Sequence, residues 1–219
     1  VQHMAAVFQQ IADPASIDVG DSGRAEEANE VAVDARRDWT VEQVLDAYRE
    51  WSVKGVAALA ALQEPPMAEV VAPIADLGSH PLHLLGNAIT FDHYCHLRHD
   101  LGVAVPRARE LPREEATLTA TLEWMLAGLP QMCASALAAA PQQAVNLVFD
   151  GPAGGSYVLS PGTDGWTVTA GTDPDAPTVH STVHDFVSWG TKRCDWRDAT
   201  TGDVDDEALA GVLDAIDII

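Results

Sequence analysis

Histidines are concentrated in one stretch of the sequence. Five of the eight histidines in the 219-residue chain fall between His80 and His99. Imidazole nitrogens bind Zn²⁺, Ni²⁺ and Fe²⁺, and a carboxylate one helical turn away can share the same ion. The stretch contains such a pair, because Asp92 precedes His96 by four residues. This spacing points to a divalent-metal site, with zinc as the favoured metal.

Helical geometry determines which side chains can reach one ion. On a helix that turns about 100° per residue, His96 and His99 both lie within about 60° of Asp92. His93 points roughly a quarter-turn away. A third ligand has to come from another helix, and His3 is the available candidate. The same pattern is typical of a buried histidine hydrogen-bonded to a carboxylate, so both interpretations stay open at this stage.

Four main helices are predicted in the first part of the chain. Apolar residues recur at helical spacing over residues 1–11, 40–62, 81–102 and 112–140. Thr40 and Gln43 have the spacing of a capping box at the start of the second helix. A polar, Ala/Glu-rich segment from Arg24 predicts a short additional helix. The third helix carries the histidines and is apolar nearly all round, which indicates a central position.

Composition changes at Pro141. Residues 145–149, 156–159 and 165–170 predict short strands separated by Gly and Pro. Residues 179–189 are ambiguous between strand and helix, and residues 205–216 predict a closing helix capped by Asp203 or Asp205. The predicted fold class is α+β, with a helical bundle over residues 1–140 and a small α+β domain over residues 141–219.

The net charge limits the possible partners. Twelve Lys and Arg against 33 Asp and Glu give a formal charge of −21, which disfavours nucleic acid and anionic membranes. An anionic substrate would need a local cation in such a chain. No uninterrupted apolar run is long enough to predict a transmembrane helix. Cys95, Cys133 and Cys194 are scattered and odd in number, which favours reduced thiols in a cytoplasmic protein.

Other chemistries have weaker signals. The glycines of residues 150–155 follow a predicted strand without a GxGxxG pattern or a P-loop lysine, so a hairpin turn is expected. No GxSxG elbow indicates a serine nucleophile. His180 and His184 are expected to be structural or exposed.

The run from Phe91 to Leu101 (FDHYCHLRHDL) resembles the mycothiol-dependent maleylpyruvate isomerase family, a group of DinB-like metalloenzymes. The segment from Trp189 (WGTKRCDW) through Gly202 and Asp203 to the last helix resembles the ending of the same family. The resemblance covers almost the whole chain. It implies a DinB-like four-helix bundle followed by a small sterol-carrier-like α+β domain, with an earlier helix expected before Val1.

The resemblance also implies a ligand set. Its members hold a divalent metal, usually zinc, with a histidine from one helix and a Glu-x-x-x-His pair from the next. Asp92 stands at the Glu position and His96 at the His position of that pair, and His3 is matched to the first ligand. Asp is one methylene shorter than Glu, so the resemblance implies looser coordination here.

The implied activity is an isomerisation or S-transfer that uses a low-molecular-weight thiol of the mycothiol type as cosubstrate. Arg193 or Arg197 is expected to pair with substrate carboxylates, with Arg98 as a second possibility. The alternative is a non-catalytic small-ligand-binding protein that keeps the fold without an active metal site. Either way the expected partners are small molecules, with no nucleic acid and no membrane, and the protein is expected to be a monomer or homodimer.

Overall fold

The computed structural model describes residues 1–20 and 23–218, and the chain divides into two compact units, Val1–Gly86 and Asn87–Ile219. The described residues form both helices and a sheet, which confirms the predicted α+β class. None of the described helices combines the length and the apolar character needed to cross a membrane.

The described residues of the first unit form three α-helices and a short hairpin. The helices are α1 (Gln2–Ala12), α2 (Ala25–Asp34) and α3 (Val41–Ala61), and the antiparallel hairpin pairs β1 (Val71–Pro73) with β2 (Ser79–Pro81). Helix α1 packs against α2 and α3. At the α1–α3 contact Gly55 faces Phe8, and a Cβ at residue 55 would lie 2.4 Å from Phe8 Cδ1. The absence of a side chain at Gly55 therefore permits this close approach.

The predicted capping box of α3 is confirmed. The backbone N–H of Gln43 donates to Thr40 Oγ1 at 3.2 Å, and the backbone N–H of Thr40 donates to Gln43 Oε1 at 2.8 Å. Two backbone donors that the helix cannot pair internally are satisfied in this way.

The histidine-rich helix is shorter than predicted and is interrupted. Helix α4 (Leu84–Cys95) begins after β2, because Ser79–Pro81 pairs with Val71–Pro73 instead of joining the helix. A π-helical turn, His96–Asp100, follows it directly. Two short helices, α5 (Leu101–Ala104) and α6 (Pro106–Arg109), complete the segment. The prediction of one regular helix over residues 81–102 was therefore wrong, because the π-helical turn interrupts it.

The last long helix is also divided. Helix α7 (Glu115–Met132) contains Pro130, which removes a backbone donor from its final turn. Cys133 then leaves the helical conformation with ψ of 7°, and α8 (Ala134–Ala139) follows. The Cys133 thiol donates to the carbonyl of Asp217 at 3.3 Å, which ties this break to the end of the chain.

In the described part of the second unit, five strands form one sheet in the order β5-β4-β3-β6-β7. They are β3 (Val145–Asp150), β4 (Gly155–Gly162), β5 (Gly165–Ala170), β6 (Thr178–Thr182) and β7 (Thr201–Gly202). Only the central pair, β3 and β6, is parallel, with Leu147 opposite Val179. The three strands predicted between residues 145 and 170 are confirmed, as is the hairpin turn between the first two.

The ambiguous segment from residue 179 contains both element types. Strand β6 passes directly into helix α9 (Val183–Gly190), and the chain ends in α10 (Glu207–Asp214). The predicted cap of α10 was wrong, because Asp206 is the residue whose Oδ1 accepts the backbone N–H of Leu209, at 2.8 Å. Phe149 of β3 and Phe186 of α9 pack in the core with ring centroids 4.8 Å apart.

The change from helices to strands falls near the composition change at Pro141. The division into compact units lies earlier, within α4, because α7 and α8 pack against β5 of the sheet. The arrangement of a bundle over residues 1–140 and a separate domain over residues 141–219 stays a prediction.

Candidate metal site

Three of the clustered histidines are bound to backbone carbonyls. A carbonyl oxygen only accepts, so the ring nitrogen in each bond donates its N–H. The bonds join His80 Nε2 to Leu77 O (2.9 Å), His83 Nδ1 to Ala68 O (2.8 Å) and His93 Nδ1 to Ile89 O (2.9 Å). These contacts give the three histidines local structural roles, which was the simpler of the two sequence interpretations.

Asp92 and His96 lie side by side, as their spacing predicts. Asp92 Oδ1 is 3.4 Å from His96 Nε2, and the two side chains are 26% and 50% exposed. Two donors that each lie about 2.1 Å from a tetrahedral ion are about 3.4 Å apart. The pair therefore has the separation that two zinc ligands need.

The opposite nitrogen of the His96 ring is bound by Asp100. His96 Nδ1 lies 2.5 Å from Asp100 Oδ2. Asp100 is bound in turn by Arg193, whose Nε donates to Oδ1 at 2.6 Å and whose Nη2 donates to Oδ2 at 2.9 Å. The result is a continuous chain of contacts from Asp92 through His96 and Asp100 to Arg193.

These contacts shift the pKa values of the linked groups. Hydrogen bonding to Asp92 and the charge of Asp92, reinforced by Asp100, raise the pKa of His96 to about 9 against the effect of burial. The hydrogen bond from Arg193, followed by that from His96, lowers the pKa of Asp100. Asp100 is therefore an anion at neutral pH, and His96 has a proton that a metal ion would have to displace.

The π-helical turn directs His99 away from this pair. The backbone N–H of Leu101 donates to the carbonyl of His96, five residues earlier, which widens the turn. His99 packs instead against His184 of α9, with ring centroids 4.6 Å apart. The helical-wheel expectation that His99 shares a face with Asp92 assumed a regular α-helix and was wrong.

Tyr94, His99 and His184 form an aromatic cluster beside the site. The Tyr94 hydroxyl and His184 Nδ1 are 2.8 Å apart. Burial, followed by the charges of His184 and Arg193, lowers the pKa of His99 to about 4. Burial and the charge of Arg113 lower the pKa of His184 as well. Both rings are therefore uncharged at neutral pH.

Two cavities of the second unit are lined in part by members of this cluster. The smaller, of about 380 Å³, is lined by apolar side chains together with His93, Tyr94 and Arg98. The larger, of about 560 Å³, is lined mainly by polar groups, among them His99, His184 and Cys194. His99 Nε2 and Thr200 Oγ1 belong to residues lining the larger cavity, and both atoms are buried without a hydrogen-bond partner among the described residues.

The donor set fits a divalent metal. Asp92 and His96 offer one carboxylate oxygen and one imidazole nitrogen that could hold a metal ion. His3 lies on α1 in the first unit, so its part as the third ligand stays a prediction. Nitrogen and oxygen donors of this kind suit Zn²⁺.

The two arginines expected to meet a substrate carboxylate are each bound to an aspartate of the chain. Arg193 is bound to Asp100 as described, and Arg197 donates to Asp214 Oδ1 at 2.9 Å and Oδ2 at 3.1 Å. Arg98 donates to a backbone carbonyl at 2.6 Å. Their role toward a substrate stays a prediction.

Two residues of the site were not identified from the sequence. Asp100 follows His96 by four residues, so the same local spacing that revealed Asp92 was present for it. His184 gave no such signal, because its partner Tyr94 lies 90 residues earlier.

Comparison of the chain with models of known protein families, with curated proteins and with solved structures finds no match in any of the three. The fold and the site define an α+β protein with a candidate divalent-metal site.

Proposed function

We propose that the protein is a metal-dependent enzyme that uses a low-molecular-weight thiol, of the mycothiol type, for isomerisation or S-transfer on a small carboxylate-bearing substrate. The observation that carries the proposal is the 3.4 Å separation of Asp92 Oδ1 and His96 Nε2 on one helix. This separation occurs within the run of residues 91–101 that resembles the mycothiol-dependent maleylpyruvate isomerase family.

The proposal includes the architecture of that family. In it, a DinB-like four-helix bundle would be formed by the long helices α1, α3, α4 and α7. The sheet would form a sterol-carrier-like domain together with α9 and α10. Zinc is the proposed metal and His3 the proposed third ligand. A cytoplasmic location is also proposed, and the three cysteines of the described residues, which are free thiols, are consistent with it. The proposed oligomeric state is a monomer or homodimer.

A divalent ion at this site would supply Lewis acidity and lower the pKa of a coordinated thiol. The chain's own residues would position and neutralise the substrate. A carboxylate of the substrate needs a local cation in a chain of net charge −21. Arg193 or Arg197 would supply that cation by exchanging its present aspartate partner for the substrate, and no nucleic acid or membrane is proposed as a partner.

Metal content is the decisive first measurement. We expect the chain, purified without a histidine tag, to contain about one zinc per molecule by plasma mass spectrometry. His96→Ala is expected to lose the metal and His3→Ala to bind it more weakly. His93→Ala is the matched control, because His93 lies on the same helix with its Nδ1 bound to Ile89 O.

The catalytic part of the proposal has its own test. Wild-type protein and His96→Ala would be assayed for isomerisation of maleylpyruvate with mycothiol and then with other small thiols. Thiol-dependent turnover that His96→Ala loses supports the proposal. Absence of bound metal in the wild type, even after incubation with Zn²⁺, would exclude it.

The second candidate function is binding of a small polar ligand in the larger cavity. Its volume of about 560 Å³ lies in the range of small-molecule sites, and it has two buried polar atoms that lack partners among the described residues. A ligand that raises the melting temperature equally in wild type and His96→Ala, but not in His184→Phe, would favour this function. A ligand whose effect requires His96 would favour the metal enzyme.

A further inference from the structure

Asp100 contacts two partners through its carboxylate, and its Oδ2 is shared between them. Its Oδ2 accepts from His96 Nδ1 at 2.5 Å, and both oxygens accept from Arg193 at 2.6 and 2.9 Å. The side chains of Asp100 and Arg193 are 41% and 30% exposed. An isolated exposed ion pair contributes little to stability, so the bond to the His96 ring is the distinctive feature of this pair.

The C-terminal cap of helix α9 fixes the backbone of Arg193. Its backbone N–H donates to Ser188 O at 2.8 Å, and the N–H of Lys192 donates to Trp189 O at 3.1 Å. These two hydrogen bonds define a Schellman motif, which usually has glycine at the position that Lys192 occupies. Lys192 has a φ of 56°, in the left-handed region that is unfavourable for a residue with a side chain.

The second unit contains a closely matched aspartate elsewhere. Asp214 accepts from Arg197 through both oxygens, and its Oδ1 also accepts from Trp196 Nε1 at 2.7 Å. Asp214 thus joins an arginine to a ring N–H, as Asp100 does. Its ring partner belongs to a tryptophan, which is not a metal ligand.

We infer that Asp100 and Arg193 are positioning residues that orient the His96 ring for metal binding. Asp100 holds the Nδ1–H of His96, and Arg193 fixes Asp100. This inference rests on the proposed metal site, and it leaves Arg197 as the cation proposed for the substrate carboxylate, because Arg193 stays bound to Asp100.

The orientation of the ring follows from the different partners of its two nitrogens. A ring whose Nδ1 donates to a carboxylate can present the Nε2 lone pair to a metal. In this structure Nε2 is the atom that lies 3.4 Å from Asp92 Oδ1. Without Asp100 the ring could rotate or exchange its tautomer, and Nε2 would be directed toward Asp92 for less of the time.

Zinc affinity measured by competition with a chromophoric chelator tests the inference. Asp100→Ala is expected to raise the zinc dissociation constant about 10- to 100-fold, the range typical of partners that orient a histidine ligand. Arg193→Gln should raise it less, and Arg193→Lys should recover part of the loss. Asp214→Ala, the matched control, should leave it within about twofold. Wild-type affinity in Asp100→Ala, or an equal loss in Asp214→Ala, would overturn the inference.

A second readout uses metal-free protein and is independent of zinc. The Nδ1 proton of His96, bonded to Asp100, is expected as a slowly exchanging downfield resonance in ¹H NMR. It should disappear in Asp100→Ala, shift in Arg193→Gln and persist in Asp214→Ala. If the wild type binds no zinc, the proposed function fails, and this spectrum alone decides whether Asp100 orients the ring. A resonance unaffected by Asp100→Ala overturns the positioning role.

Discussion

Tyr94 and His184 are 90 residues apart in the sequence, and the Tyr94 hydroxyl lies 2.8 Å from His184 Nδ1. The bond joins helix α4, which carries the candidate metal ligand Asp92, to helix α9 beside the sheet. Tyr94 is 1% exposed, so its hydroxyl has little access to water as an alternative partner, whereas His184 is half-buried. The contact between these two helices therefore includes a part-buried hydrogen bond.

Tyr94→Phe is expected to lower the free energy of unfolding by about 0.5–1.5 kcal/mol, because it keeps the ring but removes the hydrogen bond to the half-buried ring of His184. Urea unfolding followed by tryptophan fluorescence measures the change. Tyr157→Phe is the control, since its hydroxyl forms no hydrogen bond to the described residues, and should change stability by less than about 0.5 kcal/mol. Equal effects of the two substitutions would show that the bond contributes nothing.

A second prediction concerns pH. The pKa of His99 is lowered to about 4 in the folded protein, against an unfolded value near 6.5. Between these values the unfolded chain binds a proton that the folded chain does not, so this group lowers stability as pH falls from 6.5 to 4. The contribution of His99 to the free energy of unfolding is complete above pH 6.5 and is lost progressively as pH falls toward 4.

His99→Phe removes this contribution while keeping an aromatic ring beside His184. Its free energy of unfolding, relative to wild type, should increase as pH falls from 6.5 to 4, by less than about 1.4 kcal/mol per unit because the ring is partly exposed. Above pH 7 the difference between the two proteins should be constant. Urea titrations at several pH values would show this, and parallel curves throughout would contradict the lowered pKa.

How much of the structure could be predicted from the sequence depended on how far apart the interacting residues are along the chain. The capping box of Thr40 and Gln43 and the Asp92–His96 pair are local, three and four residues apart, and both were visible as spacing. The π-helical turn at His96–Asp100 was not, because an i to i+5 bond leaves no periodic signature in five residues. It displaced His99 from the face that a regular helix assigns to it.

Long-range contacts account for the rest of what was missed. Arg193 was identified as a cation worth attention, but its partner Asp100 lies 93 residues away and could not be inferred from either segment alone. The length of the histidine helix was misjudged for a similar reason. Residues 79–81 pair with a strand whose three residues gave no strand signal of their own.

Gly55→Ala is expected to destabilise the protein, although alanine is the better helix former. The added Cβ would lie 2.4 Å from Phe8 Cδ1 and 2.9 Å from Phe8 Cβ, so the contact between α1 and α3 must open. Overpacking of this kind costs about 1–3 kcal/mol.

Gly86→Ala in helix α4 is the control for this substitution. Its Cβ would meet only Gln63 Nε2, at 3.5 Å, which is an ordinary contact. The change should raise stability by about 0.5–1 kcal/mol through helix propensity. Thermal unfolding of both variants measures the contrast, and a gain in Gly55→Ala would show that α1 does not pack closely on α3 in solution.

The last prediction concerns the length of the carboxylate ligand. The resemblance places glutamate where this chain has Asp92 and implies that the shorter side chain binds more loosely. The structure favours the opposite, because Asp92 Oδ1 and His96 Nε2 are already 3.4 Å apart, the separation of two ligands on a tetrahedral ion. A further methylene would move the carboxylate by about 1.5 Å, the length of a carbon–carbon bond.

Asp92→Glu should therefore raise the zinc dissociation constant, by about tenfold or about 1.4 kcal/mol. Asp92→Asn removes the charge with the length unchanged and should raise it as well. Competition with a chelator measures both variants against the wild type. Tighter binding in Asp92→Glu alone would mean that the His96 ring is placed for the longer ligand, and that the aspartate weakens the site as the resemblance implies. Weaker binding in both would mean that the spacing between residues 92 and 96 is set for aspartate.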